Sequence, residues 1–359
     1  MVLYARTVFK YLTPILRPGD SVALDEPPGG EIGVPLTARG RISVKFQKRL
    51  ALPLRLRSRR FDVLHIVDSD YSAAIPEGKL QRSVVTCHDL MPMLQQESGV
   101  GGGLSLAGRL FFRQSMRKMA RCACVLSVSR FSRDCILKYT DTPENRILVV
   151  YEGVDHDRFR PGAEDDPIRE AFRRQHGLTG KRVVLHIGAG VWYKNVETVL
   201  HVMRELINRG CSDAVLLKIG RFSPEQEALC ARLGLQDRVV LFPKITDEEI
   251  VLAYQASDLL LWPSLCEGFG ICVLEAMACA TPVVCSNGGS LPEVAGDAAV
   301  VHDPQDVPGL TASCLRILED QAFANTLRDK GLARAAGFRR ENTVATYYSA
   351  YTRVYDGCA

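Results

Sequence analysis

Short apolar segments that alternate with helix-like stretches run through this chain of 359 residues in two successive series. The segments are rich in Val, Ile and Leu and lie at 61–67, 83–90, 124–129, 146–153, 182–190, 214–220, 238–242, 258–264, 281–287 and 298–303. Strands that are apolar throughout and joined by helices are typical of parallel sheets covered on both faces. The pattern therefore predicts an α/β fold.

The two series predict two domains, because 359 residues exceed what one hydrophobic core of ordinary size holds. We expect an N-terminal domain at 1–160 and a C-terminal domain at 161–337, joined through the polar stretch 156–168. A final helix at 338–359 is expected to pack back on the N-terminal domain. Both domains are predicted to be doubly wound and Rossmann-like, with a cleft between them and ligands at the carboxyl ends of the strands. Helices are expected at 104–121, 195–210, 224–233, 247–257 and 270–280.

Charge is divided unevenly between the two halves of the chain. Residues 1–150 carry 23 Lys and Arg against 13 Asp and Glu, whereas the remainder carries 22 against 28. The basic half suggests a partner that differs from that of the acidic half. For segment 41–60, and for the loop 99–103 with the helix after it, a solvated face and peripheral membrane contact remain alternatives. Nucleic acid is not expected, since no binding motif or aromatic platform accompanies the charge.

The composition is that of a soluble globular protein, with 47% hydrophobic and 24% charged residues. No apolar run reaches the length of a membrane span, and Arg6 and Lys10 interrupt the only stretch that resembles a signal peptide. The twelve cysteines lack zinc-site spacing and are expected to be buried thiols. We therefore expect a cytoplasmic protein, with the inner face of the membrane as a further possibility.

The densest chemical signal lies at the end of the strand near 258–264 and in the helix that follows it. The N–H groups of Phe269, Gly270 and Ile271 at the helix start, together with the helix dipole, would form an anion site suited to a diphosphate. Glu267 and Glu275 flank this site. Because like charges repel, the two carboxylates are expected to accept hydrogen bonds from sugar and ribose hydroxyls.

Residues 263–304 resemble the E-x7-E region of the retaining glycosyltransferases of family 4, which have the GT-B fold. The resemblance extends more weakly over residues 61–303. It implies that Glu267 lies by the donor sugar, with a catalytic role, and that Glu275 binds the ribose of the donor.

The stretch HIGAGVWYKN resembles the G-x5-K-N segment of that family, which implies that Lys194 binds the diphosphate as a point charge. Gly190, in the same turn, is placed among the donor-binding residues. Tyr193 and Ala189 stand where many members carry arginine. The alternative for Lys194 is an exposed lysine on a helix.

His88 and Asp89 end the strand at 83–90 and resemble the strand-ending His-Asp pair of the family. The resemblance places His88 near the sugar and the acceptor, where a neutral imidazole can orient a hydroxyl or move its proton. The alternative is a capping Asp beside a hydrogen-bonded structural His.

Two further segments resemble loops of the family. YEGVD at 151–155 resembles a P-x-G-V-D turn at the end of the N-terminal domain. KITDEE at 244–249, with Ile245, resembles the loop whose backbone reads the nucleotide base.

The strand and glycine-rich loop with which the family begins are not found in this sequence. The segment 2–16 already resembles the helix that should follow them, and the glycines at 29–30 come too late to replace the loop. Either the start lies upstream of residue 1, or the N-terminal domain lacks its first strand.

The resemblance implies a retaining hexosyl transfer that needs no metal ion and no permanently bound cofactor. The donor would be a nucleotide diphosphate sugar, GDP-mannose or a UDP-sugar. The acceptor would be a saccharide or a lipid-linked saccharide of cell-envelope polysaccharide. Two alternatives remain: a nucleotide-sugar epimerase on the same frame, and a non-catalytic sugar-nucleotide-binding protein.

Overall fold

A computed structural model describes residues 8–16, 20–22, 52–58, 60–99, 104–163 and 166–357 of the chain. Their contacts divide into two compact units. One unit consists of the described residues within Met1–Tyr151 and Arg340–Ala359, and the other spans Glu152–Arg339. The first unit thus ends nine residues before the boundary expected at 160, and the described part of the expected linker belongs to the second unit.

The first unit contains a parallel sheet of four strands, whose order follows the chain, β1-β2-β3-β4. The strands are β1 Leu64–Ile66, β2 Ser83–Cys87, β3 Cys124–Ser127 and β4 Ile147–Val149. The helices are α1 Leu52–Ser58, α2 Met91–Ser98, α3 Leu106–Met119, α4 Arg130–Tyr139 and, from the far end of the chain, α13 Arg340–Tyr355. Before Leu64 the described residues include a helical turn at 8–12 and α1, but none lies in a strand. The glycines at 29–30, residues 41–51 and the loop residues 100–103 lie outside the described part.

Helix α13 packs against the sheet of the first unit through residues spaced three or four apart. Tyr347, Ala350 and Val354 are buried in one cluster with Val84 and Leu126 of the strands. This spacing puts one face of a helix on the core. The side chain of Tyr351 adds a polar contact, since its hydroxyl lies 2.6 Å from Nδ1 of His65 in β1. The last helix is therefore part of the first unit's core.

The second unit contains a parallel sheet of six strands in the order β10-β9-β8-β5-β6-β7. The strands are β5 Arg182–Ile187, β6 Ala214–Ile219, β7 Val239–Phe242, β8 Leu259–Trp262, β9 Val283–Ser286 and β10 Val300–His302. The helices are α5 Pro167–Gln175, α6 Val196–Asn208, α7 Pro224–Arg232, α8 Asp247–Gln255, α9 Ile271–Ala278, α10 Leu291–Ala295, α11 Val307–Glu319 and α12 Gln321–Ala336. The predicted α/β class and the ten predicted strands are confirmed.

The order of the strands reverses between β5 and β8 in the second unit. From β5 the chain builds β6 and β7 on one side, and then returns to place β8 on the other side of β5. The connections on the two sides of such a point diverge, so the loops at the carboxyl ends of these two strands leave a crevice for a ligand. The segments after β5 and β8 are those that carry Lys194 and Glu267.

The middle strands of the second unit are apolar because helices cover both faces of the sheet. Val184 of β5, Leu216 of β6 and Leu261 of β8 are fully buried in one cluster with Val199 and Leu200 of α6. This core fixes the sheet on which the site is built. None of the helices in the described part of the chain combines the length and apolar character that a bilayer crossing requires.

Candidate functional site

Two loops at the switch point are joined directly to each other. The backbone N–H of Leu265, after β8, donates to the carbonyl of Tyr193, after β5, at 2.8 Å. The side-chain amide of Asn195 donates to the carbonyls of Pro263 and Pro304, both at 2.8 Å. Asn195 has a φ of 51°, a left-handed conformation that asparagine tolerates better than most residues. These contacts fix the entry of helix α6 beside the loop that leads to α9.

Lys194 and Glu267 form an ion pair across the two loops. Nζ of Lys194 donates to Oε1 of Glu267 at 2.8 Å, and the side chains are only 17% and 9% exposed. The same oxygen accepts a hydrogen bond of 2.6 Å from the hydroxyl of Ser264. Nζ of Lys194 also lies 4.5 Å from the ring centroid of Trp262, which adds a cation–π contact. The alternative of an exposed lysine on a helix is therefore wrong for Lys194.

The charge of Lys194 is maintained by its neighbours. Burial alone would lower its pKa, but the nearby carboxylate of Glu267 and the thiol of Cys272 shift the pKa above the usual value. An opposite charge at this distance favours the ammonium form. The site thus keeps a cation that is largely removed from water.

The start of helix α9 is shaped by a glycine. Gly270 has a φ of 91°, and a Cβ at this position would lie 2.7 Å from Cδ2 of Leu291. Within the described part of the chain, the N–H groups of Gly270 and Ile271 have no acceptor, as expected for the first amides of a helix. The hydroxyl of Ser290 lies 3.0 Å from the carbonyl oxygen of Glu267 and 2.9 Å from that of Phe269, which holds the loop before the helix.

Glu275 is the fifth residue of α9, about one and a half turns into the helix, and is held by a tyrosine. The hydroxyl of Tyr254, at the end of α8, donates to Oε2 of Glu275 at 2.8 Å. Tyr254 is fully buried, and this burial, followed by the charges of Cys272 and Glu275, raises the pKa of its phenol well above the usual value. The phenol therefore stays a neutral donor that orients a half-buried carboxylate.

The two glycines after β5 have different surroundings. Gly188 has a φ of 141°, and a Cβ there would lie 3.4 Å from Cδ of Lys194. At Gly190 a Cβ would lie 2.6 Å from both the backbone nitrogen of Ser223 and Oε1 of Gln226. Gly190 thus packs on the N-terminus of α7, and its predicted role in donor binding stays a prediction.

Ile245 and His88 lie away from these groups along the chain. Ile245 is half-buried in the loop between β7 and α8, directly before the capping box formed by Thr246 and Glu249. In the first unit, Nε2 of His88 lies 3.0 Å from the carbonyl oxygen of Val67. Oδ1 of Asp89 accepts from the backbone N–H of Met91 at the start of α2, so this Asp has the capping contact of the structural alternative. The proposed roles of His88 and Ile245 remain predictions.

Several residues of the site were not found from the sequence. Ser264, Tyr254, Trp262 and Ser290 each contact a predicted site residue or its backbone. Of these, Ser264 and Ser290 lie within residues 263–304. A hydroxyl group in the same motif as the glutamates was the signal by which the sequence could have indicated them. Tyr254 and Trp262 lie in a helix and a strand that read as ordinary core, so their sequence gave no comparable signal.

Two family profiles match successive parts of the chain and together cover most of it. The profile for Glycosyltransferase Family 4 matches residues 15–158, and the profile for Glycosyl transferases group 1 matches residues 168–334. The second match contains Lys194, Glu267 and Glu275.

Two curated relatives are both named mannosyltransferases. O-antigen chain mannosyltransferase B of Escherichia coli is 30% identical over 277 residues, which make up 76% of this chain and 71% of that protein. The serotype-specific mannosyltransferase WbdA of Escherichia coli is 27% identical over 310 residues, which make up 82% of this chain. That match covers 37% of WbdA, so the chain spans well under half of this relative.

A solved structure shows the same fold. Anabaena Alr3699/HepE, crystallised in complex with UDP and glucose, aligns with a TM-score of 0.68 at 19% identity. The alignment covers 87% of this chain and 82% of that protein. The predicted GT-B fold and the predicted class of enzyme are confirmed. The chain belongs to the group 1 glycosyltransferases of family 4.

Proposed function

We propose that this chain is a retaining hexosyltransferase that moves a sugar from a nucleotide diphosphate to a hydroxyl of a saccharide or lipid-linked saccharide. The observation that carries the proposal is the start of helix α9, where the first amides lie between Glu267 and Glu275 in the chain and Lys194 pairs with Glu267. The ammonium group of Lys194 and the helix amides suit a diphosphate, whereas the two carboxylates suit hydroxyl groups.

The diphosphate would lie against the N–H groups of Gly270 and Ile271. The helix dipole adds a positive potential at this point, and Gly270 lets the backbone approach the ligand. Lys194 has three ammonium protons, of which Glu267 accepts one. Another can be donated to a phosphate oxygen, so the same lysine would bridge the donor's phosphates and the acid beside its sugar.

Glu275 would bind the ribose of the donor. A carboxylate has about four lone-pair sites, so the hydrogen bond from Tyr254 leaves acceptor capacity for hydroxyl groups. Because Tyr254 fixes one oxygen, the rotamer of Glu275 is set before the ribose arrives. This lowers the entropy that binding has to overcome.

The same groups would promote the reaction as well as binding. When the bond from the sugar to the diphosphate breaks, negative charge grows on the leaving oxygen, and Lys194 with the two amides would stabilise it. Glu267 would accept a hydrogen bond from a hydroxyl of the transferred hexose. We assign His88 of the first unit to the acceptor side, where its imidazole would orient the attacking hydroxyl or take its proton.

For the donor we propose a mannose nucleotide, GDP-mannose first and a UDP-sugar second. The mannosyltransferase names of both relatives support mannose as the transferred sugar, whereas the UDP bound in the HepE structure supports a uridine nucleotide as its carrier. The name of the O-antigen relative supports an acceptor in cell-envelope polysaccharide synthesis. The excess of basic residues before residue 150 supports a lipid-linked acceptor at the anionic inner face of the membrane.

Calorimetry with GDP, UDP and ADP and their sugars tests donor binding, and NMR of the product tests the anomeric outcome. We expect one nucleotide series to bind, and the variants Lys194→Ala and Glu275→Ala to weaken it. Lys330→Ala, an exposed lysine with a surface ion partner, serves as the control. Unchanged donor affinity in both folded site variants would reject this site, and an inverted product would reject retention. Conversion of the nucleotide sugar without any acceptor would favour an epimerase.

A further inference from the structure

A second lysine lies beneath the donor site and has no acidic partner. Lys218, near the end of β6, is fully buried. Its Nζ donates to the carbonyl oxygens of Gly188, Ile219 at 2.9 Å and Gly220 at 3.1 Å. These three bonds match the three protons of an ammonium group. Among the described residues, no carboxylate lies within ion-pair distance of this ammonium.

The titratable groups that face Lys218 are basic. They are Lys194, in the loop after β5, and His186, on β5 itself. Burial first, and then the charge of Lys194, lower the pKa of Lys218 to about 8. Burial and both lysines lower the pKa of His186 to about 3, so this imidazole is neutral at neutral pH. The charge of Lys194 is balanced by Glu267, whereas the charge of Lys218 has no such balance.

Lys218 contacts the backbone that positions Lys194. One of the carbonyl oxygens that accept from its Nζ belongs to Gly188, and a Cβ on Gly188 would lie 3.4 Å from Cδ of Lys194. A Cβ on Gly220 would lie 2.2 Å from that same carbonyl oxygen, so the loops after β5 and β6 meet at this point. Lys218 therefore ties the loop after β5, one of the two loops at the switch point, to the end of β6.

Carbonyl oxygens at this edge of the sheet disfavour the binding of an anionic ligand. Carbonyl oxygens carry partial negative charge, and in a parallel sheet ligands bind at the carboxyl ends of the strands. A diphosphate placed there would be repelled by oxygens that pointed at it. Lys218 engages three of them, and its own charge is buried at a cost that an uncompensated ammonium does not recover. A bound anion would recover part of that cost.

We propose that Lys218 is a positioning residue for the donor diphosphate. It holds the Gly188 turn, and through it Lys194, and it supplies a buried positive charge that the phosphates of the donor balance. This role rests on the proposed function, since it needs a nucleotide diphosphate at the start of helix α9.

The first test compares the affinities of Lys218→Met for a nucleoside diphosphate, the matching monophosphate and the nucleoside, all measured by calorimetry. We expect the diphosphate to bind about tenfold more weakly while the nucleoside is unaffected, because the lost charge acts on phosphates alone. Lys181→Met is the matched control, since Lys181 lies at the opposite end of the sheet, directly before β5. A purely structural lysine would leave the ratio of diphosphate to nucleoside affinity unchanged, and that result would overturn the proposal.

The second test uses the wild-type chain and does not depend on a folded variant. The ratio of diphosphate to nucleoside affinity is measured between pH 7 and pH 9.5. We expect it to fall as Lys218 loses its proton, because the pKa of Lys194 is raised and stays above this range. A flat ratio would reject the role of Lys218 alone. A wild-type chain that binds no nucleoside diphosphate would reject the proposed function together with this role.

Discussion

Lys194 and Glu267 are 73 positions apart in the chain and form an ion pair of 2.8 Å at the junction of the β5 and β8 loops. Each of these residues makes the burial of the other possible. A carboxylate that is 9% exposed needs a partner, and so does an ammonium that is 17% exposed. The pair joins the segment that would hold the diphosphate to the segment that would contact the donor sugar.

Loss of one partner is predicted to destabilise the second unit strongly. In Lys194→Met the carboxylate of Glu267 keeps the hydrogen bond from Ser264 but loses its counter-charge. We expect the free energy of unfolding to fall by about 3 kcal/mol. Urea unfolding followed by tryptophan fluorescence measures this, since both tryptophans lie in the second unit.

The matched control for this variant is Lys330→Met. Lys330 pairs with Asp297 at 2.9 Å, almost the same distance, but the side chains are 46% and 84% exposed. A pair in that setting is screened by solvent and contributes little to stability. If both variants lost the same free energy of unfolding, burial would not be the reason why the pair of Lys194 and Glu267 stabilises the protein.

Tyr254→Phe is predicted to weaken nucleotide binding without abolishing it. The substitution removes the donor to Oε2 of Glu275 and preserves the ring that fills the core. A hydrogen bond to a charged group contributes about 1.5–3 kcal/mol, part of which orients the carboxylate for ribose. Calorimetry should therefore show that the variant binds a nucleoside diphosphate with several-fold lower affinity. Inorganic pyrophosphate has no ribose, so the wild type and the variant should bind it with equal affinity. A lower affinity of the variant for pyrophosphate would contradict the assignment of Glu275 to the ribose.

Gly270→Ala is predicted to cost both stability and donor affinity. The new Cβ would lie 2.7 Å from Leu291, in a backbone conformation with φ of 91° that alanine rarely adopts. We expect a loss of about 2 kcal/mol in unfolding free energy and a shifted helix start. Gly234→Ala is the control, since its φ is 63° and nothing lies within 4 Å of the new Cβ. Unchanged nucleotide affinity in Gly270→Ala would contradict this prediction, and so would an equal loss of affinity in Gly234→Ala.

The second unit is predicted to lose stability as the pH falls below about 6.5. Burial, and then Lys218 and Lys194, lower the pKa of His186 to about 3, from an ordinary value of 6.5. The unfolded chain therefore takes up a proton at a pH where the folded chain does not, and stability is lost progressively between these two values. From pH 7.5 to 5.5 this histidine should account for about 1.4 kcal/mol of unfolding free energy.

The pH effect can be assigned to His186 by substitution. The ring centroid of Trp262 lies 5.4 Å from that of His186, so tryptophan fluorescence follows the relevant unit. His186→Met should show a smaller decline with pH than the wild type, whereas His201→Asn, at an exposed position, should behave like the wild type. The same decline in His186→Met would assign the effect to other groups.

The sequence predicted the features that depend on local pattern. Strand β8, the glycine at 270 and the eight-residue spacing of Glu267 and Glu275 follow one another in the chain, so a helix start between two acids could be predicted from them. The ion pair of Lys194 with Glu267 depends on the order of strands in the sheet, because only that order places β5 next to β8. The motif residues were therefore found, but the contact between them was not.

Buried polar groups were the least predictable part of the site. Lys218 occurs in an apolar strand, AVLLKI, and the pattern of a strand covered on both faces contains no position for an ammonium. Two of its three carbonyl partners lie one and two positions further along the chain, and the third, that of Gly188, lies 30 positions earlier, after the neighbouring strand β5. Tyr254 likewise occupies a helix position typical of a core aromatic, and its hydroxyl meets Glu275 only after α8 and α9 are packed.

Helix α13 builds the core of the first unit from two stretches that are separated in the chain by the whole second unit. During synthesis, the sheet of β1 to β4 would emerge long before Tyr347 and Val354 could cover it. Residues 152–339, in contrast, are continuous and could be expressed by themselves. A stop codon before residue 340 would thus remove part of the first unit's core and leave intact the residues of the second unit, which include Lys194 and Glu267.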